Sequence, residues 1–171
     1  MGRVLAVDWG DRRVGLAVSD ELRMIASPVG VIVRRTGKRP PVAELLRRIE
    51  AIGDVDLVVL GLPLDGDGGE TPRCAEVRDV ARKLLARSAL GVALVDERFT
   101  TAKALRTIQE LGGSTRGRKE DVDALAATVL LQQALALGVR PDPSLAGDAH
   151  DDARDDDRGD ASCGNATRDD D

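Results

Sequence analysis

The chain opens with two apolar runs that are joined by a short polar turn. The first run ends at Asp8, the turn carries Gly10, Arg12 and Arg13, and the second run continues to Val18. This pattern predicts an antiparallel hairpin with strands over residues 3–8 and 13–19. A strand that stops at an aspartate presents its carboxylate at the edge of a sheet, and glycine keeps the neighbouring backbone uncrowded. Such a turn suits the binding of a divalent metal or a phosphate.

The remaining apolar patterns predict a mixed α/β fold. Continuous or alternating apolar runs predict three further strands, and periodic runs predict four helices. The three further strands are predicted at about 29–34, 55–60 and 92–95, and the first of them follows a break at Ser27-Pro28. The four helices are predicted at 42–52, in a stretch capped by Thr71, from residue 100 to 111, and at 120–137. The glycine-rich segment 61–69 is predicted to be an irregular loop that faces the substrate. This order predicts one five-stranded sheet with an antiparallel hairpin portion, parallel additions and flanking helices.

Charge divides the chain into two parts. Residues 141–171 hold eleven Asp and three Arg, whereas residues 1–140 carry a net charge of +3. We therefore expect a folded domain over 1–140 and an acidic tail over 141–171 that has too few large apolar residues to fold. A mildly basic domain is compatible with a polyanionic partner.

Composition excludes several kinds of chemistry. The predicted domain has no histidine, because His150 lies in the tail, and its one cysteine is Cys74. Ser-His-Asp and Cys-His nucleophiles and His/Cys zinc sites are thereby excluded. The sparse cysteines indicate a reducing compartment, and the absence of a long apolar segment predicts neither a signal peptide nor a membrane span. We expect a cytoplasmic protein that does not contact membranes.

Three acids lie where a hydrophobic core has no obvious use for them. Asp8 and Glu97 each end a predicted strand, and Asp123 lies beside the apolar stripe of the last helix. Each alone is explained by a turn or by the positive end of a helix. Together they predict a cluster of hard oxygen ligands for Mg²⁺ or Mn²⁺ at the carboxyl edge of the sheet. Gly15, inside a strand, predicts a close approach of backbone.

Four segments in this order resemble the YqgF family of RNase H-like nucleases. They are VDWG with RVGLAVSD (residues 7–20), GLPL with Gly66, DERFTT (96–101) and DALAA (123–127). Family members are described as pre-16S rRNA nucleases and as Holliday-junction resolvase-like proteins related to RuvC. The resemblance spans residues 3–138 and implies an RNase H-like fold. It also implies an acidic site at Asp8, Glu97 and Asp123 that uses Mg²⁺ or Mn²⁺, with two ions.

The resemblance implies metal-assisted hydrolysis of phosphodiester bonds, in the 5′ maturation of precursor 16S rRNA. The acids would hold the ions, and the substrate backbone would be contacted by Arg12, Arg13, Arg98, Thr100, Thr101 and Lys119. Departures from the family pattern are small: Arg12 stands where Lys is common, and Phe99 where Leu is common. No site residue is lost.

Other functions remain open at the level of the sequence. They are a Holliday-junction resolvase-like or other DNA nuclease, a non-catalytic nucleic-acid-binding module of the same fold, and an actin-like sugar kinase or ATPase, whose phosphate loop also begins with an Asp-x-Gly hairpin. The last class is longer and duplicated, and no second copy is visible in this chain. The sequence leaves open RNA against DNA, endonuclease against exonuclease, and monomer against homodimer.

Overall fold

The computed structural model describes residues 2–35, 40–97 and 119–146. The helix predicted from residue 100 lies outside these ranges, as do Arg98, Thr100 and Thr101. Lys119 begins the last helix, but its side chain also lies outside what the structure describes.

The described strands form one five-stranded sheet in the order β3-β2-β1-β4-β5. β1 pairs in antiparallel fashion with β2, and β2 with β3, whereas β1–β4 and β4–β5 are parallel. The strands are β1 Arg3–Trp9, β2 Arg13–Ser19, β3 Ala26–Val33, β4 Val55–Leu62 and β5 Gly91–Asp96. The predicted mixed sheet is confirmed, and its parallel portion places the carboxyl ends of β1, β4 and β5 at one edge.

Helices cover both faces of the sheet. The described helices are α1 Val42–Ile52, α2 Pro72–Arg87 and α3 Lys119–Ala136, followed by a 3₁₀ turn Pro143–Ala146. α1 and α2 pack on the face that carries Leu5, Val7 and Trp9 of β1. α3 packs on the opposite face, against Val4 and Ala6. The alternation of β1 thus sends odd-numbered side chains to one helical layer and even-numbered ones to the other.

Two strands, β3 and β4, extend into segments that the sequence predicts to be irregular. β3 begins at Ala26 and continues through Pro28, because this strand lies at the edge of the sheet and its register shifts between Leu16 and Ala17, next to Pro28. An edge or a bulge tolerates the missing N–H of proline. β4 continues through Gly61 and Leu62, so the first residues of the predicted loop belong to the sheet.

The start of α2 is held by a contact that differs from the predicted cap. Thr71 precedes the helix, yet its hydroxyl makes no capping bond to it. Instead, Thr71 Oγ1 donates to the carbonyl oxygen of Pro63 at 2.7 Å. The first turn of α2 is thereby tied to the segment that leaves β4.

The packed part of the chain extends beyond residue 140. Asp142 N–H donates to the carbonyl of Val92, and Leu145 is buried in the core against α2. The sequence places Leu145 in the acidic tail, because one apolar residue among aspartates carries no periodic signal. The prediction of an unfolded tail therefore concerns residues 147–171, which lie outside the described ranges. In the described parts of the chain, no helix is long and apolar enough to cross a membrane.

Candidate active site

Asp8 points toward the face of the sheet that α3 covers. It follows Val4 and Ala6 in the alternation of β1, and both of these residues pack against α3. Its cross-strand partner is Gly15 of β2. The side chain of Asp8 is half-buried, one residue before β1 ends at Trp9. A carboxylate in this position lies at the carboxyl edge of the sheet, beside the first turns of α3.

Gly15 allows α3 to approach the sheet. A Cβ atom at residue 15 would lie 2.7 Å from the carbonyl carbon of Asp123 and closer still to its oxygen. Backbone of α3 therefore lies directly on β2, next to Asp8. This contact confirms the close approach predicted from a glycine inside a strand, and it places Asp123 at the edge of the site.

Gly61 makes room for Glu97. The N–H of Glu97 donates to the carbonyl of Leu62 at 3.1 Å, which continues the pairing of β5 with β4. A Cβ atom at residue 61 would lie 2.5 Å from Cδ of Glu97 and 2.7 Å from its Cγ. The carboxyl group of Glu97 thus lies over the bare backbone of β4, the strand between β5 and the strand of Asp8.

Asp8 and Glu97 form a hydrogen-bonded carboxyl pair. Burial, the charge of Asp8 and this hydrogen bond raise the pKa of Glu97 from its ordinary 4.5 to about 8. Burial also raises the pKa of Asp8, with the hydrogen bond from Glu97 acting in the opposite direction and the charge of Asp123 adding to the rise. At neutral pH the two carboxyl groups therefore share a proton.

Asp123 is near this pair but has a cationic partner of its own. Its Oδ2 lies 3.5 Å from Nη1 of Arg13, and both side chains are about one-third exposed. Within the described ranges, no three His, Cys, Asp or Glu side chains are grouped closely enough to hold a metal ion. Of the three predicted acids, the structure joins two and leaves Asp123 beside them, in an ion pair.

The predicted substrate-binding cations are only partly described. Arg13 is the partner of Asp123, and Arg12 is exposed in the turn between β1 and β2. The other predicted contacts, Arg98, Thr100, Thr101 and the Lys119 side chain, lie outside the described residues.

Arg34 holds the turn that carries Arg12, and sequence reasoning missed it. Its guanidinium donates to the carbonyl of Gly10 at 2.7 Å, pairs with Glu76 of α2 and lies 5.3 Å from the ring centre of Trp9. The backbone N–H of Arg34 donates to the carbonyl oxygen of Arg12. The guanidinium thus joins the turn to α2, a contact that local sequence patterns cannot reveal.

Arg73 is a second residue that sequence reasoning missed. It lies in the first turn of α2 and pairs with Asp11 of the β1–β2 turn. Its charge acts on both Asp8 and Glu97, where it opposes the rise of their pKa values. The sequence gives no sign of this arginine's position, because α2 packs on the opposite face of the sheet from α3 and only the tertiary fold brings Arg73 to the β1–β2 turn.

The donor set fits a divalent cation. Two partly buried carboxyl groups in contact can both ionise only if a positive charge replaces the proton that they share. Carboxylate oxygens are the ligands that Mg²⁺ and Mn²⁺ prefer. The pair of Asp8 and Glu97 therefore has the chemistry of a metal site in which a shared proton takes the place of the cation.

The shared proton predicts a pH dependence of stability in the metal-free protein. Since the folded-state pKa of Glu97 is about 8 and its ordinary value is 4.5, its contribution to stability is complete below pH 4.5 and is lost as the pH rises through 8. Glu97→Gln should therefore match the wild type at pH 5. At pH 8 it should exceed the wild-type melting temperature by roughly 3–10 °C, or about 1–3 kcal/mol.

Thermal unfolding in EDTA between pH 5 and 9 measures this difference. Glu50→Gln, in which an exposed glutamate of α1 is neutralised, is the matched control and should run parallel to the wild type. A constant offset between Glu97→Gln and the wild type at all pH values would contradict the raised pKa.

The mixed sheet and its flanking helices form an RNase H-like fold. The sheet order places Asp8 of β1 and Glu97, which follows β5, at one edge, and α3 brings Asp123 beside them. A solved structure described as "T. thermophilus RuvC in complex with Holliday junction substrate" has a similar fold, with a TM-score of 0.50 and 16% identity over 82% of this chain and 99% of that chain.

The chain belongs to the RuvX family, described as Holliday junction resolvase, whose model matches residues 2–137. A protein of Anaplasma marginale (strain St. Maries) named "Putative pre-16S rRNA nuclease" is 41% identical over 79% of this chain and 85% of its own length. A protein of the same name from Kineococcus radiotolerans is 44% identical over 77% of this chain and 70% of its own length. The resemblance inferred from the sequence motifs is confirmed, and the chain is a nuclease and a hydrolase.

Proposed function

We propose that this nuclease hydrolyses phosphodiester bonds in the 5′ maturation of precursor 16S rRNA, using Mg²⁺ or Mn²⁺. The carboxyl pair Asp8–Glu97, with its shared proton and its position at the carboxyl edge of the sheet, is the observation that carries the metal dependence. The names of the relatives support the choice of substrate.

Asp8, Glu97 and Asp123 would hold the metal, with two ions as the expected number. Bound divalent ions in such sites activate the attacking water and stabilise the leaving oxygen. Asp8 is central to the assignment, because it contacts Glu97 and lies on the strand between the other two acids. The ion pair with Arg13 holds the Asp123 side chain beside the carboxyl pair.

The exposed cations of the site would bind the nucleic-acid backbone. Arg12 is presented to solvent in a turn that Arg34 holds in place, which suits contact with phosphate oxygens. Arg13, Arg98, Thr100, Thr101 and Lys119 are assigned to the same surface. Backbone contacts carry no sequence information, so recognition would depend on the shape of the substrate. We assign the enzyme to the cytoplasm, as a monomer or homodimer.

Holliday-junction resolution is the second candidate, because the family description names it. Resolution of a four-way junction requires two symmetric cuts, and therefore favours a twofold dimer that presents two carboxyl sites. The rRNA function needs only one site.

A side-by-side cleavage assay separates these functions. The purified protein is incubated with a precursor 16S rRNA 5′ leader, single-stranded RNA, single-stranded DNA and a four-way DNA junction, each with Mg²⁺, Mn²⁺ or EDTA. We expect cleavage of the rRNA leader with either ion and none in EDTA. Paired cuts in the junction with an intact leader would favour resolution, and cleavage in EDTA would contradict the metal site.

A further inference from the structure

Arg73 lies where α2 meets the acidic edge of the sheet. The helix begins at Pro72, and its first turn is tied to the end of β4 by the hydrogen bond from Thr71 to Pro63. The Cys74 thiol, buried one residue further on, donates to the same carbonyl at 3.4 Å. These two contacts on either side of Arg73 determine where its backbone lies. Its side chain reaches from the α1–α2 layer over the carboxyl edge.

The partner of Arg73 is an exposed acid of the β1–β2 turn. Asp11 is 72% exposed and the side chain of Arg73 is 36% exposed. An ion pair between side chains this exposed contributes little to stability, about 0–1 kcal/mol. The Arg73–Asp11 pair therefore adds little to the stability of the fold. The backbone of Arg73 is nevertheless held in place by the two contacts at the start of its helix.

Arg73 also lies close enough to the carboxyl pair for its charge to act on both members. The geometric link is its ion pair with Asp11, in the turn that follows Asp8, and its charge lowers the pKa of both Asp8 and Glu97. Arg13, by comparison, pairs with Asp123. Arg73 thus belongs to the helical layer opposite α3, and its ion pair holds it at the turn next to Asp8.

We propose that Arg73 binds a backbone phosphate of the nucleic acid next to the scissile bond, and that Asp11 occupies this guanidinium in the free protein. A guanidinium matches two oxygens of a phosphate as well as it matches a carboxylate. The exposed Asp11 can rotate away when the phosphate arrives. This inference deepens the proposed function, since it assumes that the Asp8–Glu97 site cleaves nucleic acid.

Arg73→Gln and Asp11→Asn should have opposite effects on KM if a substrate phosphate replaces Asp11 as the partner of Arg73. Arg73→Gln removes the phosphate partner and should lower kcat/KM on the cleaved nucleic acid by roughly 10-fold or more, with most of the loss in KM. Arg73→Lys keeps the positive charge but lacks the planar guanidinium that binds two oxygens, and it should recover part of the loss. Asp11→Asn frees Arg73 and should lower KM by roughly 2–5-fold.

Binding measured without cleavage separates this proposal from the proposed function. Filter binding of the rRNA leader and of the four-way junction is measured in EDTA over a range of salt concentrations. The loss of one phosphate contact in Arg73→Gln should reduce the slope of log Kd against log salt by about 0.7–0.9. Failure of the wild type to cleave, with this change of slope present, would contradict only the proposed function.

Matched variants on the same helix control for net charge. Lys83→Gln and Asp79→Asn each break the exposed Lys83–Asp79 pair of α2, and they change the charge as Arg73→Gln and Asp11→Asn do. Both controls should leave KM and the salt slope unchanged. An unchanged slope in Arg73→Gln, a slope change of equal size in Lys83→Gln, or a KM raised by Asp11→Asn as much as by Arg73→Gln would overturn the proposal.

Discussion

Replacement of Asp8 by Asn is expected to abolish cleavage while the protein stays folded. Asn keeps the shape of the side chain but removes the charge that a divalent cation needs, and Asp8 is the acid that contacts Glu97. We expect the rate to fall by roughly three orders of magnitude, which corresponds to about 4 kcal/mol of transition-state stabilisation. The measurement is single-turnover cleavage of the rRNA leader with saturating Mg²⁺ or Mn²⁺.

Stability and binding distinguish this loss from unfolding. Because asparagine can still hydrogen-bond to Glu97 and Asp8→Asn removes a partly buried charge, the melting temperature in EDTA should not fall below that of the wild type. Nucleic-acid binding should persist, since Arg12 and Arg13 are unchanged. Asp79→Asn, on the exposed side of α2, is the control and should cleave normally. Undiminished cleavage by Asp8→Asn would remove this residue from the site.

Replacement of Gly61 by Ala is expected to inactivate the enzyme without unfolding it. The new methyl group would occupy the space of the Glu97 side chain, with Cδ at 2.5 Å and Cγ at 2.7 Å from the ideal Cβ position. The end of a glutamate side chain can rotate away, so the cost in stability should stay below about 1.5 kcal/mol. Glu97 would then leave Asp8, and cleavage should fall by roughly 100-fold or more.

Two other glycines supply the contrast. Gly15→Ala meets rigid backbone of α3 at Asp123, so it should lower the melting temperature as well, by about 1–3 kcal/mol of stability. Gly66→Ala has nothing within 4 Å and should leave the melting temperature unchanged. Each variant is measured by thermal unfolding and by cleavage of the same leader. Full activity in Gly61→Ala would show that Glu97 does not need the place it occupies over β4.

Patterns that are local in the chain predicted most of the fold. The hairpin of β1 and β2, the bounds of α1 and the mixed character of the sheet follow from the period of apolar residues, which is a property of neighbours in sequence. The ends of the strands were less predictable. Pro28 indicated a break, but β3 continues through it because an edge strand tolerates a proline. Leu145 gave no periodic signal, yet it packs into the core.

The sequence by itself determined which ligand chemistry is available and predicted the acids that would supply it. A domain without histidine and with carboxylates at its strand ends can offer only oxygen ligands, and its four motifs resemble one nuclease family. Tertiary structure alone decided how these groups meet: Glu97 lies on Gly61, α3 lies on Gly15, and Arg73 of the opposite helical layer pairs with Asp11 in the turn after Asp8. The physical reason is that distances between side chains, and the burial that moves their pKa values, depend on residues far apart in the chain.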